Sequence, residues 1–297
     1  MITNWIRTHR LGAFFLLTFA ISWSVNGFVI LAGMEMSWIR WILSGFLSAS
    51  GPAIAAVIVV HVSGDDLRGW ARGIVRWRVH PKWYAAAIGI PAAVGVGSAV
   101  LADLMGGPID FSAFSPALFT LAFGILLGTF VGGGQEEIGW RGLAQPELQQ
   151  RYSAFTAAVV IGLAWGAWHL PLFFDPFAPH AQWPVASQVA YFVGIIGFSV
   201  LLAWVYNGSG GSILLAMIMH GSMNSLPGVL VPLDVELVIV DEIVDWGALL
   251  TLNLSNTVLT WLFALVVIAA VGTSLLAHRT DSSTTAEAEG EALPRSE

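Results

Sequence analysis

Apolar residues run along this chain in long blocks separated by short polar stretches. Residues 11–32, 41–62, 83–105, 154–174, 185–206 and 212–231 each read as a membrane-spanning helix, and a further span lies within 247–277. Another helix, fourth in order, opens at Pro116 and runs through a charged stretch towards Gln150. Pro146 should break it, because proline has no N–H to donate. Eight spans of roughly 20 residues suit a hydrocarbon core of about 30 Å. Gly51-Pro52 predicts a kink in the second span.

The segments between the spans divide the chain further. Residues 1–110 hold the first three spans and a basic segment at 63–82, where Arg68, Arg72, Arg76 and Arg78 alternate with Trp70, Ile74 and Trp77. That pattern predicts a helix lying on the membrane surface. Residues 111–232 form a core of four helices that carries the candidate chemistry. Residues 233–280 comprise an acidic external loop and the last span. The Ser/Thr/Glu-rich tail at 281–297 is expected to be disordered. No internal repeat is visible.

Composition narrows the class. The 297 residues are 56% hydrophobic and only 10% charged, which excludes an ordinary soluble domain and points to an all-α, polytopic helical membrane protein. The first apolar run is too long for a cleavable signal peptide, and no small-residue cleavage site follows it. With no cysteine, disulfides, thiolate zinc sites and cysteine nucleophiles are excluded. The net charge of −7 names no partner, and no nucleic acid is expected. The distribution of charge says more. Of the 12 Lys and Arg residues, the threading puts all but Arg40 on one side, so both termini should be cytoplasmic in a multi-pass protein of the cell membrane. Lipid is then a partner throughout. Oligomeric state is not legible.

The chemistry gathers on three stretches. Gln135-Glu136-Glu137-Ile138-Gly139-Trp140-Arg141 puts two carboxylates and a guanidinium between apolar runs. Ionised groups at such depth face a protein interior or a wet cavity. On a helix, Glu137 and Arg141 are i,i+4 partners, which leaves Glu136 without a local cation. One carboxylate is then structural and the other is free to work. If the pair is purely mutual, reversing both charges together should restore folding lost in either single mutant. Trp165 stands four residues before His169, and His220 four residues before Asn224, so each pair shares a helix face. Trp165 and Trp168 read as packing around His169.

Helical geometry brings these residues to one level. Glu136 and His169 lie 16 and 17 residues from a turn near Tyr152, each roughly 25 Å along its helix. His220 and Asn224 lie about 16 and 22 Å from the turn at 207–211. The expected active site is therefore an intramembrane cavity. There Glu136 can act as general base toward water, the imidazoles can position it, and Asn224 can donate to an oxyanion. Glu136, His169 and His220 would also suit Zn²⁺ with one open position, so metal-dependent and metal-free glutamate mechanisms both stand.

Together, Glu136-Glu137-x-x-x-Arg141, aromatic-x-x-x-His169 and His220-x-x-x-Asn224 resemble the CPBP group of intramembrane proteases, the CAAX-protease and bacteriocin-processing (Abi) family. The resemblance covers roughly Phe111 to Pro232. Trp165 stands where that family often has Phe. Membership would imply an intramembrane endopeptidase in which Glu136 activates water with help from His169. His220 and Asn224 would hold a metal or form the oxyanion site, with Glu137 and Arg141 supporting. It implies a membrane-associated peptide or protein substrate. The short loops favour leader or other membrane peptides over prenylated ones. Two other classes compete: an ion- or proton-coupled transporter with a Glu/His relay, and a catalytically idle immunity or scaffold protein. A transporter would more often show inverted repeats and broken helices.

Overall fold

The computed structural model describes residues 2–234, 238–240 and 243–277. The expected disordered tail at 281–297 lies outside these, as do Glu236, Asp241 and Glu242 of the acidic loop. A short helix at Ile2–Thr8 precedes the first span. The principal helices are α1 (Arg10–Leu31), α2 (Trp38–Ser48 and Gly51–Ser63, bent by 43°), α3 (Lys82–Leu104), α4 (Leu118–Phe130), α5 (Ala154–Trp168), α6 (Val185–Gly208), α7 (Ile213–Ser225) and α8 (Leu250–Val271). The bend in α2 falls at the expected Gly51-Pro52. Among the described residues β pairing is confined to a two-residue antiparallel ladder with Ile239 opposite Val244 and a single bridge between Ile109 and Leu233, so the all-α, multi-pass membrane class holds for them.

Three expectations need correction. Among the described residues six helices are long and apolar enough to cross a membrane, or seven if bent α2 counts as one, so the expected eight is not reached there. α4 and α7 reach crossing length by running on to Gln149 and Leu230; the shortfall is α5, whose 15 residues rise only about 22 Å, less than the hydrocarbon thickness. It continues as a 3₁₀ turn at Leu170–Phe173.

The surface helix at 63–82 is confined to Leu67–Ala71. Gly64, at φ +81, ends α2 in a left-handed cap, a conformation glycine adopts without a Cβ penalty. Beyond Ala71 the backbone continues in local turns, such as Ile74 N to Ala71 C=O at 3.0 Å, and also bonds to α7: Gly73 C=O accepts from Ile213 N at 3.0 Å, and Arg76 C=O from Ser212 Oγ at 2.7 Å. Trp70 Nε1 donates to Gly142 C=O at 2.7 Å. The segment straps the start of α7 to the charged stretch.

The helix opened at Pro116 breaks at Gly132-Gly133 instead of at Pro146, which sits in the first turn of the short helix Gln145–Gln149. Proline is tolerated there because those N–H groups have no helical partner.

Helix packing explains how distant residues meet. α7 lies against α4 and α3, α6 against α5 and α8, and α8 against α3, while α1 packs on the second half of α2. Small residues permit the closest crossings. A Cβ on Gly221 of α7 would come within 2.8 Å of Thr129 Cα on α4, and one on Gly162 of α5 within 2.8 Å of Ile196 Cα on α6. These two contacts draw the helices bearing His220 and Trp165 around the glutamates.

Arg40, the exception to the charge asymmetry, is not a loop cation. It is buried and paired with Asp175, while Phe177 packs against its guanidinium at 5.1 Å. The pair ties the bent helix to the loop after α5.

Candidate active site

Three glycines open the site. Gly133 sits at φ +111, where a side chain would be strained. A Cβ there would also stand 2.7 Å from His220 Nε2. The chain then makes a 3₁₀ turn at Gly134–Glu136, one α turn at Glu137–Gly139, and a π-helical turn at Trp140–Ala144. Such irregular turns mark functional stretches of helices. Here they aim the adjacent carboxylates in different directions.

Glu137 is fully buried and doubly bound. One oxygen pairs with Arg141 Nη1 at 2.9 Å, the expected i,i+4 contact, and the other meets His220 Nδ1 at 2.8 Å. Arg141 Nη2 reaches on to α6, donating to Ser199 Oγ at 2.7 Å and Ser199 C=O at 3.0 Å. Ser199 Oγ in turn donates to Ala158 C=O on α5 at 2.7 Å. One ion pair thus fastens the charged stretch to α5, α6 and α7.

Glu136 is also buried, but its partners are indoles. Trp165 Nε1 donates to Oε2 at 2.7 Å and Trp140 Nε1 at 3.4 Å. Among the described residues no Lys or Arg forms an ion pair with it. The division between a structural and an unpaired carboxylate is therefore present. Trp165 differs from the expectation: it is a hydrogen-bond donor to Glu136, not only packing around His169.

Both histidines are oriented alike. His169 Nδ1 lies 2.9 Å from the Trp165 carbonyl, which can only accept, so Nδ1 carries the proton. His220 Nδ1 faces the Glu137 carboxylate in the same way. Each imidazole then presents Nε2 with a free lone pair. Trp165 stands between them, its ring centroid 5.8 Å from His169 and 5.0 Å from His220. Asn224 is exposed. Its amide donates to Gly132 C=O at 2.9 Å, which leaves its second hydrogen unused.

These side chains line two cavities. A chamber of about 170 Å³ is walled by Glu136, His169, His220 and Asn224 on one side and by α6 and α8 on the other. A larger cavity of about 330 Å³ lies between α2 and the loop after α5, and Glu136, His169 and Asn224 line it too. The four predicted residues therefore come together, with the first cavity touching all of them. Sequence reasoning missed Ser199 and Asp175, lone polar residues with no spacing to mark them. It also missed the role of Trp140, which the i,i+4 relation to Glu136 could have shown.

A three-ligand zinc site does not fit this arrangement. Among the described residues, no group of three His, Cys, Asp or Glu side chains stands close enough to hold one ion, Glu136, His169 and His220 included.

Residues 118–226 match a family model described as Type II CAAX prenyl endopeptidase Rce1-like. That stretch contains every residue of the site from Glu136 to Asn224. The chain is also 34% identical over 124 residues to CAAX prenyl protease 2 of Methanococcus maripaludis. Both matches support membership of the CPBP group. The alignment covers 40% of this chain and 42% of the relative, so the shared part is less than half of either protein.

Proposed function

We propose that the protein is an intramembrane endopeptidase whose general base is Glu136. The observation that carries this reading is a buried carboxylate, held by two indole N–H groups instead of a cation, on the wall shared by two cavities. A carboxylate so placed can take a proton from water as the water attacks a peptide carbonyl. It can then return that proton to the leaving amine. With one water proton directed at Glu136, the Nε2 lone pair of His169 accepts the other and orients the water, while Glu137 keeps His220 in the tautomer that leaves its Nε2 open to the same cavity. The unused amide hydrogen of Asn224 donates to the oxyanion. No step requires a metal.

The larger cavity accepts the substrate, a membrane-associated peptide. Its wall includes Trp41, Trp168, Leu172 and Phe177, which suit an apolar flank. The relative's name specifies a prenylated CAAX substrate, and this wall brings that class back beside leader peptides. The deciding experiment offers reconstituted protein a panel of farnesylated and unmodified peptides and identifies products by mass spectrometry. Cleavage of one class assigns the substrate; no cleavage of any would favour the idle scaffold.

Asn224→Ala should slow cleavage by roughly 10²–10³-fold, mainly in kcat, the effect of losing one oxyanion donor. An unchanged kcat would remove Asn224 from the mechanism.

The membrane orientation is part of the same proposal. With Arg40 internal, basic residues flank only one side of the spans. Reporter fusions after Arg78 and after Asp241 should fall on opposite sides, the first in the cytoplasm. The same side for both would overturn the threading.

A further inference from the structure

The last span lies outside the matched stretch and carries no family motif, yet it is not uniformly apolar. Asn253, Asn256, Thr257 and Thr260 recur at i, i+3, i+4 and i+7, the spacing of one helix face. Val258 and Leu262, on the opposite face, are more than half exposed, as lipid-facing residues are. The polar stripe instead faces the 170 Å³ chamber beside Glu136. α8 is locked in that rotation by Thr257 Oγ1, which donates to Ala190 C=O at 2.8 Å, and by Trp261 Nε1, which donates to Val193 C=O at 2.8 Å.

A polar stripe inside a membrane protein commonly glues helices together. Thr257 does so, but the side-chain amides of Asn253 and Asn256 have no hydrogen-bond partner among the described residues. Across the chamber, Ser187 on α6 is fully buried, and its hydroxyl has no partner either. One turn further along α6, the Tyr191 hydroxyl is likewise unbonded and lines the same space. An unsatisfied buried polar group costs about 1–3 kcal/mol, and Ser187 is one; with the half-buried Asn253, Asn256 and Tyr191 facing the same cavity, the chamber calls for something that satisfies them. That occupant must both donate and accept. The chamber has room for several molecules of water, each with a share of about 30 Å³.

We propose that this chamber is a built water reservoir, with Asn253 and Asn256 as positioning residues that hold water against Glu136. The inference rests on the hydrolytic reading for its purpose, since each turnover consumes one water at a site shielded from bulk solvent. Separation from the apolar cavity lets water and peptide approach Glu136 from different sides.

The chain has no cysteine, so single thiols can report hydration without background. Asn256→Cys and, at the same depth on the lipid face, Val258→Cys are reconstituted in liposomes. They are exposed to silver ion, then denatured and labelled with a maleimide. Silver is water-borne and thiol-binding, and small enough to follow water. Silver should protect Asn256→Cys and not Val258→Cys. Equal labelling of both with and without silver would mean a dry chamber and overturn the proposal, whatever the protein's activity. In a cleavage assay, Asn253→Leu with Asn256→Leu should lower kcat by about tenfold and leave KM unchanged. A raised KM at unchanged kcat would make the stripe a peptide subsite and overturn the water role. Silver protection without cleavage of any peptide by the wild type would sustain the chamber and remove only the protease.

Discussion

Glu136→Gln should abolish cleavage while the protein remains folded in the membrane. Glutamine keeps the shape of glutamate, and its amide oxygen can still accept from Trp165 and Trp140. What it loses is the ability to take a proton from water. General-base contributions of roughly 10²–10⁴-fold set the minimum expected loss. Structure should change little, because Glu136 pairs with no cation whose charge would be left uncompensated. His169→Ala should also abolish cleavage, by removing an Nε2 lone pair beside the same water. Combining the two should cost little more than either alone, since residues acting as a unit are non-additive. The measurement is product formation by reconstituted protein, with size-exclusion profile and thermal unfolding as controls for folding. Full activity in a well-folded Glu136→Gln protein would refute the mechanism and spare the fold.

Arg141→Leu should have the largest effect on stability. The substitution leaves Glu137 charged and fully buried beside His220 alone, and it strips Ser199 of a donor. Breaking one side of a buried ion pair typically costs about 3–5 kcal/mol. The variant should therefore express poorly or melt well below the wild type. Removing both charges, as Glu137→Leu with Arg141→Leu, should recover much of that loss, because no unpaired charge remains. It should not recover activity, since nothing then orients His220. Charge reversal of the pair, which helical spacing alone would favour, is not expected to rescue folding. A guanidinium at 137 would face His220, and a carboxylate at 141 would confront the Ser199 carbonyl that Arg141 now donates to, with only the Ser199 hydroxyl as a donor from α6. If Arg141→Leu unfolds at the wild-type temperature, the pair is not structural.

The sequence by itself determined what depends on neighbours within about a turn of helix. The length of each apolar block established a polytopic helical protein, and only α5 proved too short to count as a crossing. The i,i+4 relation predicted the Glu137–Arg141 pair and left Glu136 apart. The ordered motifs marked Glu136, His169, His220 and Asn224, and the family comparisons fall on the same stretch. Tertiary structure decided which helix faces meet. Glu137 reaches His220 across 83 residues of chain, Arg141 reaches Ser199 across 58, and Arg40 reaches Asp175 across 135. No local pattern encodes such pairings, because any buried polar residue can be satisfied by many partners until packing selects one. Gly132-Gly133-Gly134 is a run of small residues inside what the sequence alone predicts as one continuous helix. That it breaks the helix follows from the close approach of α7, where His220 leaves no room for a Cβ at Gly133. Likewise the 253–260 spacing shows a polar face on α8, but only the contacts of α8 with α6 turn that face toward the glutamate and away from lipid.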